Sequence, residues 1–303
     1  MKGLLLTALA GTCALGVATS TGTALPSGYD EIYKADQTPE EHRDAFRAYF
    51  KDKFPEVTME EYANGLYALP VFSSYRQEWE ESMDFPPYQD GLDRGQQLWE
   101  TEFPNGKTFA SCFDNEGKNI AQRYPYWDEE RQQVRTAEMD LIDCAKENGA
   151  DYPFVSADLG KDQKARVQLA ELTAHFYDLS RGQPIDIDLS KEGAKKAFEK
   201  GRSIYWSRRG QLNFACYHCH VDLSGNNFGG GQPLSAGLGH TTAWPAQRID
   251  WARIETIHQR YATCFSQVRA KPYKHMGEEY NALELYEKYM SGGLPLTAPS
   301  MRN

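Results

Sequence analysis

The chain has 303 residues, a formal charge of −10 and 40% hydrophobic residues, among them 18 Tyr, 14 Phe and 6 Trp. That is enough apolar material for the cores of two modest domains, and it excludes a disordered chain. The acidic balance, with no basic arm to offset it, excludes nucleic acid and anionic lipid as expected partners, and it suits solubility or a basic redox partner.

Taken in chain order, residues 1–24 read as a cleaved leader. Lys2 gives a short positive start, Leu4 to Val17 is apolar and small, and Gly22-Thr23-Ala24 offers small residues for cleavage. The apolar stretch is too short and too rich in Gly and Thr for a membrane anchor, and no later segment is long enough to span a bilayer. Cys13 leaves with the leader. The exported chain, expected in the periplasm, keeps Cys112, Cys144, Cys216, Cys219 and Cys264 in a compartment where loose thiols pair.

The first half, residues 25–185, passes through Gly95-Gln-Gln-Leu-Trp99, Cys112, Tyr124-Pro125 and Cys144. It ends in a helix stopped by Ser180-Arg-Gly-Gln-Pro184-Ile185. The second half, residues 186–303, opens with a helix predicted over Gly193–Tyr205, in which Ala197, Phe198 and Ile204 fall on a repeating face. Cys216-Tyr217-His218-Cys219-His220 follows. Two cysteines three apart add across the two vinyl groups of a haem, and the His after the second reaches the iron from beneath the ring. C-x-x-C-H therefore specifies one covalently attached haem c, with His220 as an iron ligand. A zinc site needs further Cys or His at ligand spacing, and no second C-x-x-C exists. A redox C-x-x-C sits in a βαβ pattern that is absent here. His218, inside the loop, is expected on the surface. A closing helix is predicted over Glu278–Met290, with Leu283, Tyr286 and Tyr289 at helical spacing and Gly292-Gly293 as its stop.

The two halves echo each other. Gly95–Trp99 precedes Cys112 as Gly201-Arg-Ser-Ile-Tyr205 precedes Cys219. Pro125 lies nineteen residues before Cys144, as Pro245 does before Cys264, and the stop after the first half matches Ser291-Gly-Gly-Leu-Pro295-Leu296. The expected fold is mainly α: two cytochrome c-like domains in tandem, only the second binding haem. Phe109 stands where a first haem cysteine belongs and Phe113 where the iron ligand belongs. Cys112 is thereby left without a haem, and a Cys112–Cys144 disulfide is expected. The same alignment sets Cys144 against Cys264, which puts Cys264 on the far side of the haem from His220. Met276, Met290 and His240 are the rival sixth ligands.

Three stretches carry a resemblance: Phe214-Ala-Cys216-Tyr-His-Cys219-His220, Gly229-Gly-Gly-Gln-Pro233, and Arg260-Tyr-Ala-Thr-Cys264-Phe-Ser-Gln-Val-Arg-Ala-Lys-Pro272. From about residue 30 onward the chain resembles SoxA, the larger subunit of the SoxAX cytochrome of bacterial sulfur oxidation, in its single-haem form. The resemblance implies an L-cysteine S-thiosulfotransferase that joins thiosulfate to a cysteine of a SoxYZ-like carrier. It also implies a SoxX-like haem subunit as partner and an electron-accepting cytochrome beyond it. Cys264 matches the family's active cysteine and distal haem ligand, and Arg260 the arginine assigned to thiosulfate. The residues themselves are compatible, since Arg260, Arg269 and Lys271, with Arg248 as a further candidate, supply cations for a dianion. The rival readings are a simple electron carrier ligated by Met276, a thiosulfate dehydrogenase forming tetrathionate, and a structural subunit of a cytochrome complex.

Overall fold

The computed structural model describes residues 27–303, so the leader expected over residues 1–24 and Cys13 lie outside the described residues. Among these residues helix dominates, with short strand pairs between helices. The order is α1 (Gly28–Ile32), α2 (Pro39–Lys53), α3 (Ser73–Ser82), α4 (Gln89–Glu100), β1 (Tyr126–Asp128), β2 (Gln133–Arg135), α5 (Ala137–Glu147), α6 (Pro153–Ser156) and α7 (Gln163–Asp178). It continues with α8 (Glu192–Trp206), β3 (Asn227–Phe228), β4 (Gln232–Pro233), β5 (Ala246–Arg248), β6 (Arg253–Glu255), α9 (Ile257–Gln267), α10 (Glu278–Met290) and β7 (Ser300–Arg302). No described helix is long and apolar enough to cross a membrane.

The sequence echo is an echo of elements. Helix α4 crosses α7, and α8 crosses α10, each at a glycine. A Cβ on Gly95 would lie 2.0 Å from the Glu171 carbonyl oxygen, and one on Gly201 2.0 Å from that of Ala282. Only a residue without a side chain lets the two backbones approach so closely. Between the crossing helices each half inserts an antiparallel hairpin, β1–β2 or β5–β6, and then a short helix, α5 or α9. The two stop segments pair antiparallel with each other, with Ile185 N donating to Leu294 O (2.9 Å) and Leu296 N to Gln183 O (2.9 Å). A buried Arg166–Glu255 ion pair (2.9 Å) ties α7 to β6, and the apolar core runs unbroken through both halves.

The N-terminal segment lies against the second half, although it belongs to the first half in sequence. Thr38 and Glu41 form a capping box at the start of α2, Pro39 takes its first turn, and Lys51 and Lys53 sit in its last. His42, Phe46 and Phe50, four apart, make its buried face. At its end Lys53 Nζ donates to the carbonyls of Val221 (2.6 Å) and Asp222 (2.8 Å), and Gly28 N donates to Asp222 Oδ1 (2.8 Å). The segment thus straps the loop that follows His220.

Candidate functional site

Helix α8 buries Ala194, Ala197, Phe198, Gly201 and Tyr205 and delivers the chain to the C-x-x-C-H loop. Tyr217 anchors that loop by stacking on Trp206, ring centroids 5.2 Å apart. His218 accepts from the Ala215 N–H at Nδ1 (2.9 Å) and is half-buried; it braces the loop where a surface position was expected. Cys216, Cys219 and His220 then line a cavity of about 870 Å³, counting its open mouth.

The opposite wall comes from α9. Arg260 and Cys264 are four residues apart, so a helix puts them on one face, and both line the cavity with Tyr261 and Phe265. Leu212, Phe214, Phe228 and Leu234 complete a mostly apolar lining. His220 donates from Nδ1 to the Ser235 carbonyl oxygen (3.1 Å). This is the outer-shell bond that orients a metal-binding imidazole and leaves Nε2 for the metal. Burial, then His240 and Arg260, push the His220 pKa down to about 3, so the ring stays neutral as a ligand must.

His240 stacks on His220 at 4.4 Å, and its Nδ1 lies 3.2 Å from Glu287, whose carboxyl burial pushes up to about 7. Of the rival sixth ligands, His240 and Cys264 line the cavity. Met276 faces a separate cleft with Trp127 and Asn281, and Met290 is buried in the core. Arg269 and Lys271 are exposed and do not line the cavity.

The cationic group that does form is deeper than the sequence indicates. Arg248, Arg260 and Arg302 line a smaller space behind His220 and His240. Arg302 arrives on β7, which pairs parallel with β5 and sets Arg302 beside Arg248. Its Nη1 donates to Ser300 Oγ (2.8 Å) and the Met301 carbonyl (2.9 Å). Burial pushes its pKa down to about 10. Arg248 lies 3.2 Å from the exposed Asp250 carboxylate, and Arg260 Nη1 is buried without a partner. Three buried guanidiniums facing one exposed carboxylate are short of negative charge. The donor set fits a covalently held haem: two cysteines, an oriented imidazole, an apolar slot, and cations able to meet the propionate carboxylates. Among the described residues no three His, Cys, Asp or Glu side chains converge as a metal cage.

In the first half the corresponding space is packed with aromatic rings. Phe109 stacks with Trp99 (6.0 Å) and Tyr152 (6.0 Å), and Phe113 lies against Trp99 (5.7 Å) and Phe176 (4.9 Å). Cys112 and Cys144 beside them form the expected disulfide, with sulfurs 2.04 Å apart.

Hairpin, crossing helices and C-x-x-C-H loop together define a c-type cytochrome. A family model described as the SoxA/TsdA cytochrome c domain matches residues 94–185, the half without the haem motif. Over 267 residues the chain is 41% identical to the L-cysteine S-thiosulfotransferase subunit SoxA of Allochromatium vinosum, covering 88% of this chain and 90% of that one. It is 37% identical to the subunit of the same name from Chlorobaculum tepidum, covering 85% and 86%. It is also similar to a chain of the crystal structure of SoxXA from P. pantotrophus, at 25% identity and a TM-score of 0.62, covering 72% of this chain and 79% of that one. The chain belongs to the SoxA family of L-cysteine S-thiosulfotransferase subunits.

Proposed function

We propose that this chain is the sulfur-transferring subunit of a periplasmic thiosulfate-oxidising cytochrome, with Cys264 as its reactive sulfur. The observation that carries this reading is the placing of Cys264 and Arg260 on one face of α9, across one cavity from Cys216, Cys219 and His220. Two cytochrome c-like domains stand in tandem, and Cys216 and Cys219 would hold one haem c in the second, with His220 and Cys264 the residues that would bind its iron. The aromatic filling around Phe109 and Phe113 supports leaving the first domain as a docking platform.

Arg260 binds the sulfonate end of thiosulfate through its paired N–H donors. That orientation points the sulfane sulfur at Cys264, and the apolar lining keeps water from competing. Formation of the S–S bond between the Cys264 thiolate and thiosulfate gives Cys264–S–S–SO₃⁻ and releases two electrons. A thiolate of the SoxYZ-like carrier then attacks the sulfane sulfur, takes the S–SO₃⁻ group and returns the Cys264 thiolate, with no net redox change. Bound haem c supplies a one-electron acceptor beside Cys264, so the second electron requires another centre, for which the SoxXA neighbour points to a SoxX-like haem subunit with an electron-accepting cytochrome beyond it.

The test is the electron paramagnetic resonance spectrum of the oxidised protein, alone and with its haem partner. A low-spin His/thiolate signal that disappears in Cys264→Ala supports the reading. A His/Met signal unchanged by that substitution overturns it in favour of an electron carrier. Product analysis separates transfer from dehydrogenation, as carrier-bound thiosulfonate against free tetrathionate.

A further inference from the structure

A second cationic cleft lies at the seam of the two halves, away from the haem cavity. It offers about 420 Å³ between α2, the Gln122–Arg123 turn and the paired stop segments, and Arg43, Arg47 and Arg123 line it. Arg43 and Arg47 stand one helical turn apart on the same face of α2, a like-charge pairing that costs stability unless something neutralises it. Arg47 Nη2 donates to the Gly292 carbonyl, and Arg43 lies 4.8 Å from the centre of the Tyr289 ring. The Nε atoms of both are buried without a partner. Among the described residues none of the three arginines forms an ion pair with a carboxylate. Asp186 is the one carboxylate in the lining, and it is exposed.

Burial, and then the charge of Arg43, depress the pKa of Arg47, and Asp44 only partly offsets them. On a chain of net charge −10, three arginines that form no ion pair among the described residues concentrate positive charge in one cleft beside the single lining carboxylate, Asp186. Arginine forks match tetrahedral oxygens in pairs.

We propose that this cleft binds a small polyvalent oxoanion of the sulfate or phosphate class. The site is formed by both halves and by α2, so an occupied cleft also clamps the strap segment to the seam. It is separate from the cavity that holds Cys264 and does not rest on the sulfur-transfer reading.

The test is calorimetric titration of the haem-loaded protein with sodium sulfate and phosphate at constant ionic strength, against sodium chloride. The expected result is one saturable site for the oxoanions and none for chloride. Arg47→Gln and Arg123→Gln should each weaken it about tenfold or more, the loss of one charge-assisted pair. Arg47 also holds the Gly292 carbonyl, so the exposed Arg123 is the variant that leaves the fold undisturbed. Arg269→Gln should bind as the parent does. Heats indistinguishable from chloride, or unchanged affinity in Arg123→Gln, overturn the site. Loss of binding in Arg260→Gln instead of Arg123→Gln places the anion in the haem cavity and also overturns it.

Discussion

The Nδ1 atom of His220 lies 3.1 Å from the carbonyl oxygen of Ser235, and this bond selects Nε2 as the nitrogen left for iron. Replacing His220 by Ala is expected to abolish the low-spin absorption of the reduced protein. A full low-spin spectrum in that variant would show that another ring takes over, and His240, stacked at 4.4 Å, is placed to do so.

Arg260 shares a face of α9 with Cys264 and keeps Nη1 buried and unpartnered. Arg260→Gln is expected to lower the rate at limiting thiosulfate about ten- to a hundredfold, as loss of a charge-assisted bond should. The rate at saturating thiosulfate should fall much less, because the sulfur chemistry stays with Cys264. Steady-state kinetics with the complete complex measure both, and an equal fall in the two would move Arg260 from binding to the chemical step.

The disulfide joins cysteines 32 residues apart. Loop entropy alone gives it about 3–4 kcal/mol of stability. Cys112→Ala with Cys144→Ala should lower the denaturation free energy by that order, leave haem content unchanged and remove the sensitivity of the parent to reductant. A variant that loses haem would show that the first half supports the haem loop directly.

The parts legible in the sequence were those written in spacing. The helix predicted over Glu278–Met290 is α10, Gly193–Tyr205 falls within α8, and Phe109 and Phe113 in the haem positions left Cys112 to pair with Cys144. Direction was harder to read. Arg269 and Lys271 sit close to Cys264 in sequence, yet Arg269 takes a left-handed conformation (φ 55°) just past the end of α9 and neither residue lines the cavity. Gly149 holds the equivalent position after α5 (φ 73°), where the turn costs less. Arg302 carried no signal at all, because a three-residue strand at the chain end becomes part of a site only through its parallel pairing with β5. The strap role of α1 and α2 was likewise hidden, since its partners lie more than 160 residues away.

His42 offers a pH test outside the haem cavity. It is fully buried, Nδ1 faces Gln37 Oε1 (3.3 Å), and Nε2 faces the Tyr286 hydroxyl (2.9 Å), which also accepts from Trp206 Nε1. Burial, and then Arg202, push its pKa from 6.5 down to about 4. The unfolded chain takes up this proton below pH 6.5, whereas the folded chain refuses it until about pH 4. Stability is therefore whole above pH 6.5, falls as pH drops towards 4 and levels off below. The share of His42 is on the order of 3 kcal/mol. His42→Gln should flatten the fall between pH 6.5 and 4 in denaturant titrations, and an unchanged slope would assign it to other groups, with His275 (pushed down to about 3) the first to examine.

The two glycine crossings ask whether the halves stand or fall together. A Cβ at Gly95 or at Gly201 meets backbone, not a side chain that can swing aside, so either alanine must push its helix pair apart. A cost of about 3 kcal/mol or more is expected at each. Gly201→Ala strikes the pair that frames the haem loop, and it should lower haem loading as well as stability. Gly95→Ala strikes the aromatic-filled half, and its effect on haem depends on how strongly the halves are coupled. The continuous core, the buried Arg166–Glu255 pair and the mutual pairing of the stop segments all argue for one cooperative unit. Calorimetry should then show a single transition, shifted down in both variants. Two transitions, with only one displaced by Gly95→Ala, would mean that the seam docks two halves that fold independently.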